Sequence, residues 1–214
     1  DLMLIYGFHS VGARLRRAPE SVETLYVVQA RDDPRARDLI RLAESQGVRP
    51  HFIDTERMQR LCPHKRHQGV AAMVSLAVPQ VDLEDLLDEI EGPPLLLLLD
   101  GVTDPRNLGA CLRVADGAGV HAVVAPKDHA STLTEVAIQT ASGAAEAVPY
   151  VMVTNLARTM DMLNERDITL IGTADEAPLT LYEQTVPASV AWVLGGEGKG
   201  LRRLTRERCD HLVR

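Results

Sequence analysis

Aromatic side chains make up only 3% of this chain, a single Trp, two Phe and four Tyr. A core short of them must be built from Leu, Val, Ala and Ile, which suits helices packed on a parallel sheet better than a β-sandwich. Cysteine is also sparse. Cys62, Cys111 and Cys209 are scattered, odd in number and without metal-ligand spacing, so a disulfide framework and a cysteine metal site are both disfavoured, and a reducing, cytoplasmic compartment is expected. No apolar run approaches the roughly 20 residues needed to span a bilayer, and no signal-peptide pattern opens the chain, so no membrane partner is expected. A surplus of positive charge is missing too. The net charge of −7 argues against a nucleic-acid partner, yet residues 1–70 hold 12 Lys and Arg against 9 Asp and Glu, whereas 71–214 hold 11 against 21. That asymmetry leaves room for a mildly basic N-terminal module, although a charge run also reads as a solvated face.

What is present centres on residues 95–113, LLLLLDGVTDPRNLGACLR. Five leucines and an aspartate read as a short strand buried on both faces, and DGVTDPRN is turn chemistry. A helix follows. Asn107 can cap it, and Leu108, Leu112 and Ala115 give it an apolar side. Arg113 sits nearly two turns inside, and because helical side chains lean toward the N-terminus it is expected to return its guanidinium to the strand's carboxyl end. Open α/β sheets bind their ligands there.

From Ile5 to Val74 helical and strand patterns alternate: helices at Ser10–Arg17, Pro34–Gln46 and through Met58, strands at Thr24–Val28, His51–Ile53 and Gly69–Val74. This is a compact α/β unit of about 70 residues. Its edges carry Arg14, Arg16 and Arg17 and the cluster His64, Lys65, Arg66, His67, followed by Gln68 and Gly69. Such cations can neutralise phosphates, or can simply line a solvated loop. A linker falls at Leu76–Val81, after which Asp82 caps a helix carrying Leu83, Leu86, Leu87 and Ile90, stopped by Gly92, Pro93 and Pro94. Beyond the leucine strand, Ala122–Ala125, Val148–Val151, Thr169–Gly172 and Val190–Leu194 read as strands, with helices at Thr134–Ala141 and Asn155–Glu165. Strands alternating with helices imply right-handed crossovers and a parallel sheet.

A second loop has the features of a ligand site. LGGEGKGL, residues 194–201, has four glycines within six residues, letting the backbone approach a ligand with no Cβ in the way. It is neither a Walker loop nor a dinucleotide fingerprint. A nucleotide or nucleoside site and a purely structural tight turn both fit it.

DPRNLGACLR, with Asn107 and Arg113, and LGGEGKGL, with Glu197, resemble the first two motifs of the SpoU/TrmH branch of the SPOUT methyltransferases. The N-terminal unit with its HQG segment, the linker and the phrase VTNLARTM extend the resemblance over nearly the whole chain, toward that branch's 23S rRNA guanosine-2′-O-methyltransferases. The resemblance implies an L30e-like RNA substrate-binding domain at 1–75, a linker at 76–82 and a SPOUT α/β domain at 83–214 with a C-terminal trefoil knot. It implies methyl transfer from S-adenosylmethionine to a ribose 2′-hydroxyl, with 23S rRNA as partner, a homodimer formed through the second domain, and no metal. Asn107, Arg113 and Glu197 match the catalytic positions. Thr173, Leu194, Gly195 and Gly196 match the cofactor positions, and Arg14, Arg17, Lys65, Arg66, His67 and Arg113 are the expected RNA contacts. A guanidinium with a pKa of roughly 12.5 or more is a poor base, so Arg113 is expected to bind the target's phosphate and lower the hydroxyl's pKa.

Each residue also has a structural reading: Asn107 as N-cap only, Glu197 as a carboxylate near a helix N-terminus, Arg113 as partner of Asp100 or Asp104, and Cys111 as a small buried apolar residue. The family's third motif, an SLNVS-like stretch that completes the knot, is not among these residues. The expectations are an incomplete knot, a final strand only beginning at Arg214, and weak cofactor binding by a chain ending there. Two other functions stay open: a tRNA 2′-O-methyltransferase, and a non-catalytic RNA-binding or ribosome-assembly factor.

Overall fold

The computed structural model describes residues 2–29, 32–63, 65–75 and 81–214, the side chain of Glu135 excepted. Most of the expected linker, at 76–80, and His64 of the basic cluster lie outside the described residues. The chain divides into two compact units, Asp1–Pro79 and Gln80–Arg214.

The first unit runs β1 (Leu2–Tyr6), α1 (Phe8–Arg17), β2 (Val22–Val28), α2 (Pro34–Ser45), β3 (Pro50–Ile53), α3 (Thr55–Leu61) and β4 (Val70–Ser75). Its sheet has the order β1-β4-β2-β3, with β4 antiparallel to both neighbours and β2 parallel to β3. Two helices start where an aspartate caps them: Asp33 accepts from Ala36 N–H at 2.8 Å and Asp54 from Arg57 N–H at 2.7 Å. α1 lacks a cap of its own. Gln68, held at φ 56°, supplies it from across the unit, its Oε1 accepting from Phe8 N–H at 2.9 Å. β1 lies outside the elements expected from the sequence, because an edge strand with one buried residue, Ile5, shows no alternation.

The second unit contains α4 (Leu83–Glu89), β5 (Leu95–Asp100), α5 (Pro105–Gly117), β6 (Ala122–Pro126), α6 (Glu135–Ala141), α7 (Ala144–Ala147), β7 (Tyr150–Val153), α8 (Leu156–Glu165), β8 (Thr169–Thr173), β9 (Val190–Gly195), α9 (Arg203–Arg208) and β10 (His211–Val213). The six strands form one sheet in the order β10-β8-β9-β5-β6-β7, and every pairing is parallel. The leucine strand sits near its middle with Leu96–Asp100 all buried, as a run of leucines requires. Helices cover both faces, and the packing of α5 on α6 depends on Gly109, where a Cβ would come within 2.5 Å of Ala137 O.

Two expectations change here. The strand expected at Val148–Val151 is shifted to Tyr150–Val153, because α7 runs on to Ala147. The final strand is formed within the chain rather than just beginning at Arg214: His211–Val213 pairs with β8, and Leu179 bridges Val213 from the other side. Arg214 N–H donates to Leu179 O at 3.0 Å and Leu181 N–H to Arg214 O at 3.1 Å. β10 therefore lies between β8 and the excursion 174–189. Among the described residues no helix is long and apolar enough to cross a membrane.

Candidate active site

β5 and β9 are neighbours in register, Asp100 opposite Gly195. From these adjacent ends the chain departs in opposite directions, through α5 to β6 and through α9 to β10. A topological switch point of this kind opens a crevice outside the carboxyl ends of the strands. A cavity of about 710 Å³ lies there, walled by Gly101–Asp104, Asn107, Cys111 and His129 on one side and Leu194–Glu197, Lys199 and Arg202 on the other.

Asp104, not Asn107, caps α5. Its Oδ1 accepts from Arg106 N–H at 2.8 Å and Asn107 N–H at 3.0 Å, and Pro105 fills the first helical position. The Asn107 side chain is thereby left for other work. Its Nδ2 donates to Glu197 Oε2 at 3.4 Å, joining the two loops. Since a carboxylate only accepts, this contact orients the amide and leaves Asn107 Oδ1 as an acceptor.

The glycine loop is held by its own backbone. Gly196 N–H donates to Asp100 O at 3.0 Å, and Lys199 and Gly200 N–H donate to Gly196 O at 3.3 and 3.0 Å. A Cβ at Gly195 would come within 2.1 Å of Gly200 C, and one at Gly196 within 2.5 Å of Gly101 O. The bare backbone is therefore obligatory at both positions, and the cavity it lines falls in the size range of small-molecule and nucleoside sites.

Sequence reasoning missed the clasp beneath this loop. The Asp100 carboxylate, 1% exposed, accepts from Arg202 N–H at 2.8 Å and from Arg202 Nε–H at 2.7 Å. The one charged residue closing an otherwise apolar strand was its only signal; nothing around Arg202 set it apart. Cys111 is half-buried in the cavity wall rather than simply core, and burial pushes its thiol, and the hydroxyl of nearby Tyr150, above their ordinary values.

Leu194, Gly195, Gly196, Asn107 and Glu197 are thus brought together, and two expected residues are not. Thr173 ends β8 on the far side of β9, bonded through Oγ1 to Val193 O at 3.5 Å, and does not line the cavity. Arg113 is exposed and also outside it. At roughly 100° per residue, six residues carry it about 120° around the helix from Asn107, too far for its guanidinium to return to the loop. Nor does it pair with Asp100 or Asp104, whose carboxylates bond to Arg202 and to the α5 backbone.

The expected RNA contacts also divide. Arg14 is buried, 4% exposed, its Nη1 donating to Ser21 Oγ at 3.0 Å and Ser75 O at 3.1 Å, so it holds α1 to β4 and is removed from the surface set. His67 accepts from Gly69 N–H through Nδ1 at 2.9 Å, which leaves its proton on Nε2, 3.4 Å from Gln59 Oε1. Lys65 is half-buried with its ammonium 5.2 Å above the Tyr6 ring, Arg17 is half-buried, and Arg66 is exposed.

Residues 94–214 match the SpoU rRNA Methylase family, and residues 4–79 match the family described as RNA 2′-O ribose methyltransferase substrate binding. The chain belongs to the SpoU rRNA methylase family. Within that family it is 53% identical over 211 residues to the 23S rRNA (guanosine-2′-O-)-methyltransferase RlmB of Bordetella pertussis, covering 99% of this chain and 86% of that protein. The RlmB of Salmonella typhimurium is 49% identical over 212 residues, covering 98% and 87%. In fold, the SpoU methyltransferase AviRb from Streptomyces viridochromogenes, solved with the cofactor AdoMet, superposes with a TM-score of 0.73 at 22% identity, covering 100% of this chain and 80% of AviRb.

Proposed function

We propose that this SpoU-family chain transfers a methyl group from S-adenosylmethionine to the ribose 2′-hydroxyl of a guanosine in 23S rRNA. The observation that carries it is the meeting of Asn107 and Glu197 at one cavity, backed by about 50% identity to proteins of that activity over nearly the whole chain.

Leu194, Gly195 and Gly196 line the cavity, and the close backbone packing at the two glycines fixes the shape of that wall, so these three residues would hold the methyl donor. The donor supplies an electrophilic methyl on a sulfonium. The chain's own residues supply placement. Asn107 Oδ1, oriented by Glu197, would accept a hydrogen bond from the ribose hydroxyl and turn its oxygen toward the donor, which would leave as a neutral thioether as the C–O bond forms, with the hydroxyl proton released to solvent. Holding reacting atoms about 3–3.5 Å apart contributes several kcal/mol as effective concentration. Arg113, exposed and outside the cavity, serves the RNA as a cation, neutralising phosphate rather than taking a proton. On the first unit, Arg66 and Lys65 serve the RNA as cations of their own.

We extend the reading to a homodimer through the second unit, where Val114 at 70% and Val136 at 45% exposure offer apolar surface on α5 and α6. Such an enzyme works in the cytoplasm, where the substrate is made. Incubation with labelled S-adenosylmethionine and separate 23S rRNA, 16S rRNA and tRNA tests the assignment. A 2′-O-methylguanosine mapped in 23S rRNA is the expected result; label in tRNA alone, or in none of the three, overturns it.

A further inference from the structure

Arg202 faces two spaces. It lines the 710 Å³ cavity and also a second one, of about 450 Å³, formed with Pro126, Asp128, Leu204 and Arg203. Its partner carboxylate is fully buried while its own side chain is 46% exposed. Asp100 takes the backbone N–H and the Nε–H, so both terminal Nη groups, four of the five guanidinium N–H donors, have no partner among the described residues. A guanidinium fixed through Nε presents its Nη groups as a preorganised fork, the geometry that matches a phosphate.

Charge decides which space takes the anion. Beyond the Asp100–Arg202 pair, the first cavity is lined by two acids, Asp104 and Glu197, against one base, Lys199. The second sets Arg202 and Arg203 against Asp128 alone. We infer that Arg202 binds a backbone phosphate of the RNA substrate in this second cavity, fixing the strand beside the nucleotide held at Asn107. The inference rests on the RNA-methylation reading above. It assigns the Asp100–Arg202 clasp two roles: it ties the glycine loop to β5, and it aims a phosphate ligand.

The test uses the whole chain with a 23S rRNA fragment that the unaltered protein methylates, and compares Arg202→Gln, Arg202→Lys and a control, Arg208→Gln. Arg208 is likewise held through Nε by an aspartate, Asp161, but lines neither cavity. For Arg202→Gln, RNA affinity should fall roughly 10-fold, and the slope of log affinity against log salt should become shallower by roughly 0.7–0.9, the value of one phosphate contact. Donor affinity by calorimetry should fall as well, because the same change leaves the buried Asp100 without its partner under the glycine loop, so the salt slope is the readout that separates the two roles. Arg202→Lys should keep the slope and lose part of the affinity, since an ammonium cannot fork. Arg208→Gln should match the unaltered protein. An unchanged salt slope with lost donor affinity overturns the inference in favour of a clasp that only shapes the loop. If melting shows Arg202→Gln unfolded, Arg202→Lys decides, and RNA affinity equal to the unaltered protein's refutes it. Absence of methyl transfer by the unaltered protein overturns the parent reading and this inference with it.

Discussion

Asn107 and Glu197 stand ninety positions apart in the chain and meet with Nδ2 3.4 Å from Oε2. The contact lies at the crevice between β5 and β9, and it makes one residue's acceptor a consequence of the other's charge.

That dependence is testable with Asn107→Asp, which sets a carboxylate against Glu197. Like charges so close raise the pKa of one of the pair, so the variant regains an O–H donor to Glu197 only as pH falls. Methyl transfer should drop roughly 100-fold near pH 8, within the range for losing one well-placed polar group, and the deficit relative to the unaltered protein should narrow toward pH 5.5. A constant deficit across that range removes the orienting role of Glu197.

The glycine loop should discriminate sharply between its own glycines. Gly195→Ala and Gly196→Ala drive a methyl into backbone atoms at 2.1 and 2.5 Å, where nothing flexible can yield. Donor binding should be lost, with roughly 1–3 kcal/mol of destabilisation as in other overpacked sites. Gly198→Ala meets open space and strains only φ at 74°, costing about 1–2 kcal/mol while retaining measurable donor binding by calorimetry.

Arg14 tests the separation of structural from RNA-binding arginines. Arg14→Met removes the guanidinium bonds to Ser21 and Ser75 and should cost about 2–4 kcal/mol in urea denaturation of the first unit. The salt slope of RNA binding should not move. Arg66→Ala should do the reverse, leaving stability within about 0.5 kcal/mol and lowering the slope.

Cys209 gives a pH signature. Burial, then the charges of Asp210 and Asp100, push its thiol up to about 12 from an ordinary 9.0. The folded state therefore favours the neutral thiol. Its stabilising contribution is complete below pH 9 and is lost as pH rises from 9 toward 12, because the unfolded chain ionises first. Stability of Cys209→Ser should fall less steeply above pH 9 than that of the unaltered protein. At pH 8 iodoacetamide should label Cys209 after denaturation and leave it unlabelled in the fold.

Much of this architecture was legible in the chain. The leucine strand, the Asp82 and Asn155 helix starts and the alternation of strands with helices follow from local pattern, because burial on both faces and satisfaction of first-turn N–H groups are decided by neighbours in sequence. The two ligand loops were legible for the same reason. Asn107 was misread as a cap because Asp, Pro and Asn all suit the start of a helix, and only the hydrogen bonds show that Asp104 takes the first-turn amides.

Local pattern was enough for most of the elements, the parallel second sheet and the chemistry of the two loops, since these rest on periodicity and turn residues, but not for β1, α7, α9 or β10. Only the tertiary structure decided which side chains share a cavity. Registering Asp100 against Gly195 buries that carboxylate where it must find a donor, and Arg202 is the one brought to it. Within the first unit, bonds to Ser21 and Ser75 bury Arg14, and within the second Arg113 is left exposed. No spacing along the chain encodes those outcomes, because burial is set by packing among residues far apart in sequence.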